Sequence, residues 1–203
     1  MTGAEANPGA VLKALREQRQ WTLADVASRT GLTVSTLSKI ENNRVSLNFD
    51  KLSRLSAGLD IDLAALLDPR SAAGVAVMAG RRSATRLGEG AVIETSNYRH
   101  VYHATDLLDK AVIPTVVEIL VFSREAFGPL IRHKGEEFAY VIEGVVELHT
   151  DVYAPLTLRA GESIYFDSEM GHAYIAVAPG PCRILSISAP PGQRHNSGLA
   201  GEG

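Results

Sequence analysis

Cysteine is nearly absent from this sequence of 203 residues, which holds Cys182 alone. A single cysteine cannot form an internal disulfide and excludes a zinc finger built on thiolates, which fits a reducing compartment. No stretch approaches the roughly 18 uncharged apolar residues of a membrane span, and the first ten residues lack the basic start and apolar run of a signal peptide. The sequence therefore predicts a soluble, cytoplasmic protein with no membrane partner.

Excess positive charge is lacking as well. The 20 Lys and Arg residues stand against 23 Asp and Glu, and 45% of the residues are hydrophobic. These are ordinary globular proportions, so the chain can bury a core of one large domain or two small ones. Binding to nucleic acid would have to depend on a local patch and local geometry, because the net charge of −3 gives no general attraction.

The hydrophobic pattern changes near Pro69. Before this residue the apolar positions follow a helical period, and later they alternate or form short β-branched runs divided by Gly and Pro. We therefore predict two domains, an all-α domain followed by an all-β domain, with fraying at residues 7–9. The predicted boundaries are residues 9–68 for the helical domain, 69–87 for a linker, 88–190 for the β domain and 191–203 for a flexible tail.

Five short helices are predicted in the helical domain. Thr22 and Thr33 are N-caps of the second and third helices, and Gly31 supplies the positive φ that ends the second. Two short helices joined by four residues, of which the second starts with small polar residues, form the helix-turn-helix arrangement. The residues predicted to face the core of the five helices are Val11, Leu12, Leu15, Leu23, Val26, Ala27, Leu37, Ile40, Leu52, Leu55, Leu59, Leu63, Leu66 and Leu67.

Residues 22–44 read TLADVASRTGLTVSTLSKIENNR. This segment resembles the lambda-repressor-like, XRE-type DNA-binding domain, and the resemblance extends over nearly all of residues 10–68. The matching positions are Arg16, Ala27, Gly31, Leu37, Ile40 and the Glu41-Asn42 pair. The resemblance implies a five-helix bundle in which Arg16 of the first helix pairs with Glu41 of the third.

The resemblance also implies that the third helix enters the major groove of a double-stranded DNA operator. The candidate readers of base edges are Val34, Ser35, Ser38 and Lys39. The candidate phosphate contacts are Thr22 and Thr33 at helix N-termini and Asn42, Asn43 and Arg44 in the following loop. Only Lys39 is a strong hydrogen-bonding reader, so we expect binding as a homodimer. The alternative is a helical bundle that keeps the fold without touching DNA.

Seven strands are predicted in the second domain, each bounded by a turn signal. They cover residues 115–122, 137–142, 145–150, 155–158, 163–166, 173–177 and 183–188. Glu143-Gly144 predicts a tight hairpin, and residues 159–162 and 178–181 predict further turns. Many short, evenly spaced strands are typical of a sandwich or a jelly-roll barrel.

Ionisable residues recur in two segments of this domain, HKGEEFAYVIEG at 133–144 and GESIYFDSEMGH at 161–172. These segments resemble the two cupin motifs, and the resemblance covers roughly residues 88–190. It implies a jelly-roll barrel in which His133, Glu137 and His172 converge on one divalent metal. This sequence differs from the family pattern at three positions. Ile131 stands where the first motif has its first His, Asp167 where the second motif usually has a Pro, and Ala176 where it usually has an Asn.

Two His and one carboxylate suit iron(II), manganese or zinc and leave open positions for water or a ligand. The same three groups can equally hydrogen-bond a polar effector with no metal present. Alternation along the strands places Val141 on the side of Glu137 and Tyr174 on the side of His172. The expected effector pocket therefore includes Tyr102, Val141 and Tyr174. The directions of His103, Glu118 and His149 are left open.

Two functions follow from the combined resemblances. The favoured one is a DNA-binding transcription regulator whose cupin domain senses a small-molecule effector. The alternative is a mononuclear non-haem iron oxygenase or epoxidase, because the hydroxypropylphosphonate epoxidase family shares the tandem architecture and the same two-His, one-Glu set. A Lys of the helical domain reaches toward the active site in that family, whereas the matching position here is Gln20, which cannot supply an ammonium group.

Overall fold

A computed structural model of the chain describes residues 4–5, 7–45, 47–67 and 80–189. In the described residues, five helices form the first domain, as predicted. They are α1 (Pro8–Gln18), α2 (Leu23–Thr30), α3 (Val34–Glu41), α4 (Phe49–Leu59) and α5 (Leu63–Leu67). Their apolar faces meet in one cluster that contains the predicted core leucines together with Val26 and Ile40. None of the described helices is long and apolar enough to cross a membrane.

The predicted caps define the helix-turn-helix. The Thr22 hydroxyl accepts a hydrogen bond from the Asp25 amide at 3.2 Å, and the Asp25 carboxylate accepts one from the Thr22 amide at 2.8 Å. This capping box satisfies two amides that a helix start leaves without partners. Thr33 caps α3 in the same manner, and Gly31 ends α2 with a φ of 68°. Both turns therefore form as the sequence predicts.

The start of α1 differs from the prediction that residues 7–9 fray. Asn7 caps α1 by accepting a hydrogen bond from the Ala10 amide at 3.0 Å, and Pro8 and Gly9 are buried. A Cβ atom at Gly9 would lie 2.2 Å from the Ile40 carbonyl oxygen, so α1 begins flush against the end of α3. Tertiary packing of this kind orders a terminus that local composition alone marks as mobile.

The second domain contains two sheets, within the part of the chain that the structure describes. Its strands are β1 (Ala4–Glu5), β2 (Ala91–Glu94), β3 (Tyr98–Tyr102), β4 (Ile113–Ile119), β5 (Glu136–Glu143), β6 (Val145–Thr150), β7 (Leu156–Arg159), β8 (Ser163–Asp167), β9 (His172–Ala176) and β10 (Arg183–Ala189). One sheet has the order β1-β2-β3-β4-β10-β5-β8 and the other β7-β6-β9. All pairings are antiparallel except that of β1 with β2. A short helix, α6 (Arg124–Phe127), follows β4.

The hairpin predicted at Glu143-Gly144 is wrong. Strand β5 belongs to the larger sheet and β6 to the smaller one, so the chain crosses between sheets at Gly144. Gly144 has a φ of 84°, and a Cβ atom there would lie 2.6 Å from the Pro181 carbonyl oxygen. The turns at 159–162 and 178–181 also join strands of different sheets. Repeated crossing of this kind makes a jelly roll rather than a row of hairpins.

The helical domain packs against the larger sheet. Ala91, Ile93, Tyr102 and Ile113 of this sheet share one buried cluster with the helices, and the Asp109 amide donates to the Asp62 carboxylate at 2.6 Å. A separate cluster between the two sheets fills the barrel. The end of the barrel at strands β3 and β4 therefore faces the helical domain directly.

Part of the predicted linker is attached to the barrel. In the described residues of this segment, the Arg81 guanidinium donates to the carbonyl oxygens of Leu108 and Asp109, and the Ser83 hydroxyl donates to the Asp106 carboxylate at 2.5 Å. Residues 68–79 and the predicted tail at 191–203 lie outside the described residues. The predicted domain boundaries stay predictions.

Candidate functional site

The outer face of α3 is exposed. Leu37 and Ile40 are buried in the helical core, whereas Val34 in the first turn is 46% exposed. Ser35 and Lys39 are also exposed, and Ser38 is half-buried. The four candidate base readers form one accessible surface, because the pairs 34/38, 35/38 and 35/39 are three or four positions apart and so are neighbours on the helix.

The candidate phosphate contacts are exposed as well, but several of their side chains are already engaged. The hydroxyls of Thr22 and Thr33 cap their own helices. Asn42 donates from its side-chain amide to the Ser38 carbonyl at 2.7 Å and so caps the end of α3. Arg44 is exposed, and Asn43 has a left-handed φ of 53°. Of this set, Arg44 is the one that offers a cationic side chain to a phosphate.

Arg16 and Glu41 form the predicted ion pair. The Arg16 Nε atom donates to Glu41 Oε1 at 2.7 Å, and Nη2 donates to Glu41 Oε2 at 2.9 Å. A third bond runs from Nη1 to the Trp21 carbonyl at 3.2 Å, and the hydrogen bond to Glu41 raises the pKa of Arg16. The side chains are only 17% and 6% exposed. This two-bond pair ties α1 to the C-terminal end of the reading helix.

The three candidate metal donors meet inside the barrel. Their ligand atoms lie within 4.8 Å of one another, and His133, Glu137 and His172 are 5%, 5% and 1% exposed. Glu137 points inward because it occupies a buried position of the alternating strand β5, and His172 opens β9. The resemblance therefore identified a buried cluster and not three solvated surface residues.

Hydrogen bonds orient each donor. His133 Nε2 lies 3.1 Å from Glu137 Oε2, and the Tyr174 hydroxyl donates to Glu137 Oε1 at 2.8 Å. His172 Nδ1 lies 2.9 Å from the Met170 carbonyl oxygen. A carbonyl can only accept, so Nδ1 carries the proton and Nε2 keeps its lone pair. Metal-binding histidines commonly have this arrangement, in which a backbone carbonyl fixes the tautomer.

The electrostatics of the cluster favour the ionised form of Glu137. Burial by itself raises the pKa of Glu137, but the hydrogen bonds from His133 and Tyr174 and the nearby imidazoles outweigh it, so the pKa is lowered. Burial lowers the pKa of His172 and raises that of Tyr174. Two imidazoles and one carboxylate at this separation fit iron(II), manganese or zinc.

The cavity beside these donors is small, about 40 Å³. Its lining residues are Phe49, Tyr98, His100, Tyr102, Thr115, Val117, Ile131, His133, Glu137, His172, Tyr174, Ser186 and Ser188. Tyr102 and Tyr174 of the expected effector pocket are among them. Val141 points inward as expected, but it packs deeper in the barrel core and is not part of the lining.

The three residues whose direction the sequence left open are not part of this lining either. His103 lines the cleft between the domains, Glu118 pairs with Arg99, and His149 pairs with Glu147.

Of the lining residues that the sequence analysis did not assign to the site, His100 and Phe49 matter most for its chemistry. His100 lies on β3 between Tyr98 and Tyr102, and all three are buried on the inner face. Their period-two alternation was a usable signal for an inward imidazole. Phe49 comes from α4 of the helical domain, and its ring lies 4.6 Å from the His133 ring at 71°. No sequence signal marks a contact between domains at this position.

His100 should make the barrel sensitive to acid. Burial lowers its pKa from 6.5 to about 4, although the Ile93 carbonyl and Glu137 act in the opposite direction. The folded state thus holds the imidazole neutral, and this contribution to stability is present above pH 6.5 and is lost as the pH falls toward 4. Between pH 7 and pH 5 the loss should be about 2 kcal/mol.

The matching experiment compares the wild type with His100→Gln by urea unfolding with excess chelator, followed by circular dichroism. The other titrating groups that face the cavity, Glu137 and His172 among them, are common to both proteins, so the difference in pH dependence reports His100. Equal losses of unfolding free energy on acidification in both proteins would show that His100 is not held neutral.

Comparisons with known proteins agree with this geometry. Residues 12–66 match the helix-turn-helix family and residues 121–188 match the cupin domain family. The HTH-type transcriptional regulator PuuR of Escherichia coli is 26% identical over 184 residues, which is 90% of this chain and 95% of the relative. A crystal structure of an HTH_3 family transcriptional regulator from Vibrio cholerae superposes with a TM-score of 0.61 at 22% identity and shares the fold over 92% of this chain and 97% of its own.

The structure of hydroxypropylphosphonic acid epoxidase from S. wedmorenis in complex with fosfomycin gives a TM-score of 0.45 at 22% identity, over 92% of this chain and 100% of its own. The two family matches together span more than half of the chain, in the order helix-turn-helix and then cupin. The chain therefore contains a helix-turn-helix domain followed by a cupin domain, and over 90% of its length it is similar to an HTH-type transcriptional regulator.

Proposed function

We propose that this regulator binds a two-fold DNA operator through α3 and senses a small-molecule effector at the cupin barrel. The observation that carries the proposal is the free outer face of α3. Val34, Ser35 and Lys39 are exposed, whereas the barrel meets the helical domain at the loop after α3 and at α4 and α5. A recognition helix covered by its own barrel would have contradicted DNA binding.

The proposed contacts divide into reading and positioning groups. Lys39 donates to a base edge, Val34 makes apolar contact, for example with a thymine methyl group, and Ser35 and Ser38 complete the reading face. Arg44, Asn42 and Asn43 approach the phosphates, together with the N-termini of α2 and α3 at Thr22 and Thr33. Lys39 is the one cationic side chain among the four base readers. Each subunit therefore contributes modest affinity, and two subunits bind the operator together.

The proposed homodimer forms through the outer face of the larger sheet. Cross-strand neighbours on this face form an apolar row of Val92, Val101, Val116, Leu185 and Tyr140. The neighbouring row alternates in charge, in the order Glu94, Arg99, Glu118, Arg183 and Glu143. Because these charges compensate one another within the subunit, a second copy meets an apolar centre with a polar rim and no net like-charge repulsion.

The proposed site for the divalent metal is His133, Glu137 and His172. Iron, manganese or zinc bound there would supply a Lewis acid with open coordination positions for an effector. Tyr174 holds the Glu137 carboxylate in place, and the Met170 carbonyl keeps the His172 Nε2 lone pair free. Tyr102 lines both this cavity and the cleft between the domains, so it would contact an effector that enters from the cleft.

We propose that the protein is not an oxygenase or epoxidase. The relative PuuR bears a regulator's name, and Gln20, at the position of the epoxidase lysine, does not line the barrel cavity. The residue that the helical domain contributes to the cavity lining is Phe49. Its aromatic ring offers neither a proton nor a charge to a substrate.

Substitution of Lys39 or Arg44 should weaken operator binding. Fragments bound by the protein are first selected from genomic DNA, and affinities are then measured by fluorescence anisotropy. Lys39→Ala should weaken binding to a two-fold fragment at least tenfold, because it removes one base contact from each subunit and a base contact contributes about 1–3 kcal/mol. Arg44→Ala should weaken binding to all sequences alike, because it removes one phosphate contact from each subunit. Arg44→Ala should also reduce the salt dependence, since it removes phosphate contacts.

Arg159→Ala is the matched control, because Arg159 is an exposed cation of the cupin domain. It should bind the selected fragment as the wild type does. The wild type should also bind an isolated half-site more than tenfold less tightly than the two-fold site, as expected of a dimer. Undiminished sequence-specific binding by both Lys39→Ala and Arg44→Ala would contradict the proposed reading surface.

A further inference from the structure

The helical domain closes the barrel cavity with one side chain. Phe49 is the first residue of α4, directly after the N-cap Asn48, whose side chain accepts from the Lys51 amide at 3.1 Å. The Phe49 ring lines the cavity and packs edge-on against His133, which is itself one of the metal donors. Phe49 also packs against the helical core cluster. One ring therefore contacts the core of the DNA-binding domain and the sensor site at once.

The size of the cavity limits its content. A water molecule needs about 10–15 Å³ of such volume, so about 40 Å³ holds an ion with a water or two. Sites for organic ligands are typically about 300–1,000 Å³. A larger cleft of about 1100 Å³ between the domains shares His133 and Tyr102 with this cavity. An organic effector in the cleft can contact His133, but it can enter the cavity only if the cavity enlarges. Phe49 is the one lining residue of the cavity that the helical domain contributes, so withdrawal of its ring is the change by which that domain makes room.

Helix α4 is rigidly joined to the helix-turn-helix. Arg54 Nε donates to the Thr30 carbonyl at 3.2 Å, and its Nη2 donates to the Gly31 carbonyl. These two carbonyls belong to the turn between α2 and α3. A Cβ atom at Gly58 would lie 2.6 Å from the Arg29 carbonyl oxygen, so α4 packs flush against the end of α2. Phe49 and the reading helix therefore belong to one packed unit.

We propose that Phe49 determines which ligands the barrel admits and that its withdrawal shifts the helix-turn-helix relative to the barrel. The first part depends on the cavity alone, whereas the second rests on the DNA-binding function proposed above. An effector larger than an ion and its waters binds only the arrangement in which Phe49 has withdrawn. Linkage is reciprocal. An operator that binds one arrangement more tightly therefore changes the affinity of the cavity for the effector by the same factor as the effector changes the affinity for the operator.

Access is tested by the rate at which diethyl pyrocarbonate modifies His172, measured by mass spectrometry in protein kept with a chelator. His172 is 1% exposed, so the wild type should react slowly. Phe49→Ala should react at least tenfold faster because the mouth of the cavity is open. Phe122→Ala is the matched control, since Phe122 is 53% exposed and does not line the cavity, and it should react at the wild-type rate. Equal rates for the two variants would overturn the proposal.

Coupling is tested by repeating the measurement with a saturating selected operator fragment. The wild-type rate should change at least threefold on DNA binding, whereas the rate of Phe49→Ala should not respond. A fast Phe49→Ala variant together with a DNA-insensitive wild type would confirm the size filter and overturn the coupling. The access test needs no DNA. It therefore decides whether Phe49 limits entry to the cavity even if the protein does not bind DNA. If Phe49→Ala does not fold, Phe49→Leu keeps apolar packing against α4 and should react at an intermediate rate.

Discussion

Replacing Glu41 by alanine should lower the free energy of unfolding of the helical domain by about 3 kcal/mol. The change leaves the Arg16 guanidinium, which is only 17% exposed, without its two-bond partner. Removing one member of a largely buried pair costs more than the pair itself contributes, because the Arg16 charge then keeps only the more distant Glu17 carboxylate, at 3.7 Å, as an ionic partner. The tie between α1 and the end of α3 is lost at the same time, so operator affinity should fall with stability.

Trp21 allows the unfolding of the helical domain to be measured separately from that of the barrel. It is the single tryptophan of the chain, its carbonyl accepts from Arg16, and the Arg29 guanidinium lies 4.2 Å from its ring. Urea unfolding followed by Trp21 fluorescence therefore reports the helical domain. The double variant Arg16→Met with Glu41→Ala should recover part of the loss, because it removes both charges.

The exposed pair of Arg183 and Glu143 is the matched comparison for Glu41→Ala. Its side chains are 44% and 42% exposed, and an exposed pair contributes about 1 kcal/mol or less. Glu143→Ala should therefore cost much less than Glu41→Ala, which can be read from far-ultraviolet circular dichroism of the whole chain. Similar losses for the two substitutions would show that burial of the Arg16 pair has no special role.

Local signals account for the part of the structure that was predicted. Thr22, Thr33 and Gly31 each act within a few residues of their own position, so their caps can be read from the chain alone. The cupin resemblance placed Glu137 and His172 inside the barrel, and alternation from His172 then placed Tyr174 on the same side. The Arg16 partner is 25 residues away, and it was predicted through family resemblance rather than from local pattern.

Contacts between distant elements account for what was missed. Gly144 is a good turn residue in either a hairpin or a sheet crossing, and only the position of Pro181 decides between them. The pairing of Ala4 with Ala91 and the contact of Phe49 with His133 both join segments of different domains. Neither hydrophobic period nor turn chemistry carries information on such pairs, so the route between sensor site and DNA-binding domain became visible only in the folded chain.

Glu137→Gln should weaken binding of a divalent metal about a hundredfold, or about 2.7 kcal/mol. The amide keeps the shape of the side chain and an oxygen for the Tyr174 hydroxyl, but it removes the one anionic donor of the three. Competition between the protein and a chromophoric chelator for zinc or manganese measures the change. Tyr174→Phe should weaken the metal about tenfold, since it frees the carboxylate without removing it.

Glu136→Gln is the control, because Glu136 precedes Glu137 on β5 and points to the other face of the strand. It should bind metal as the wild type does. In metal-free protein at neutral pH, Glu137→Gln should lower the free energy of unfolding, because the lowered pKa of Glu137 means that the folded barrel favours its carboxylate. A variant that binds metal normally but unfolds more easily would mean that Glu137 is retained to hold His133 and Tyr174 together. Loss of metal with stability preserved would mean that the barrel keeps a buried charge for its ligand.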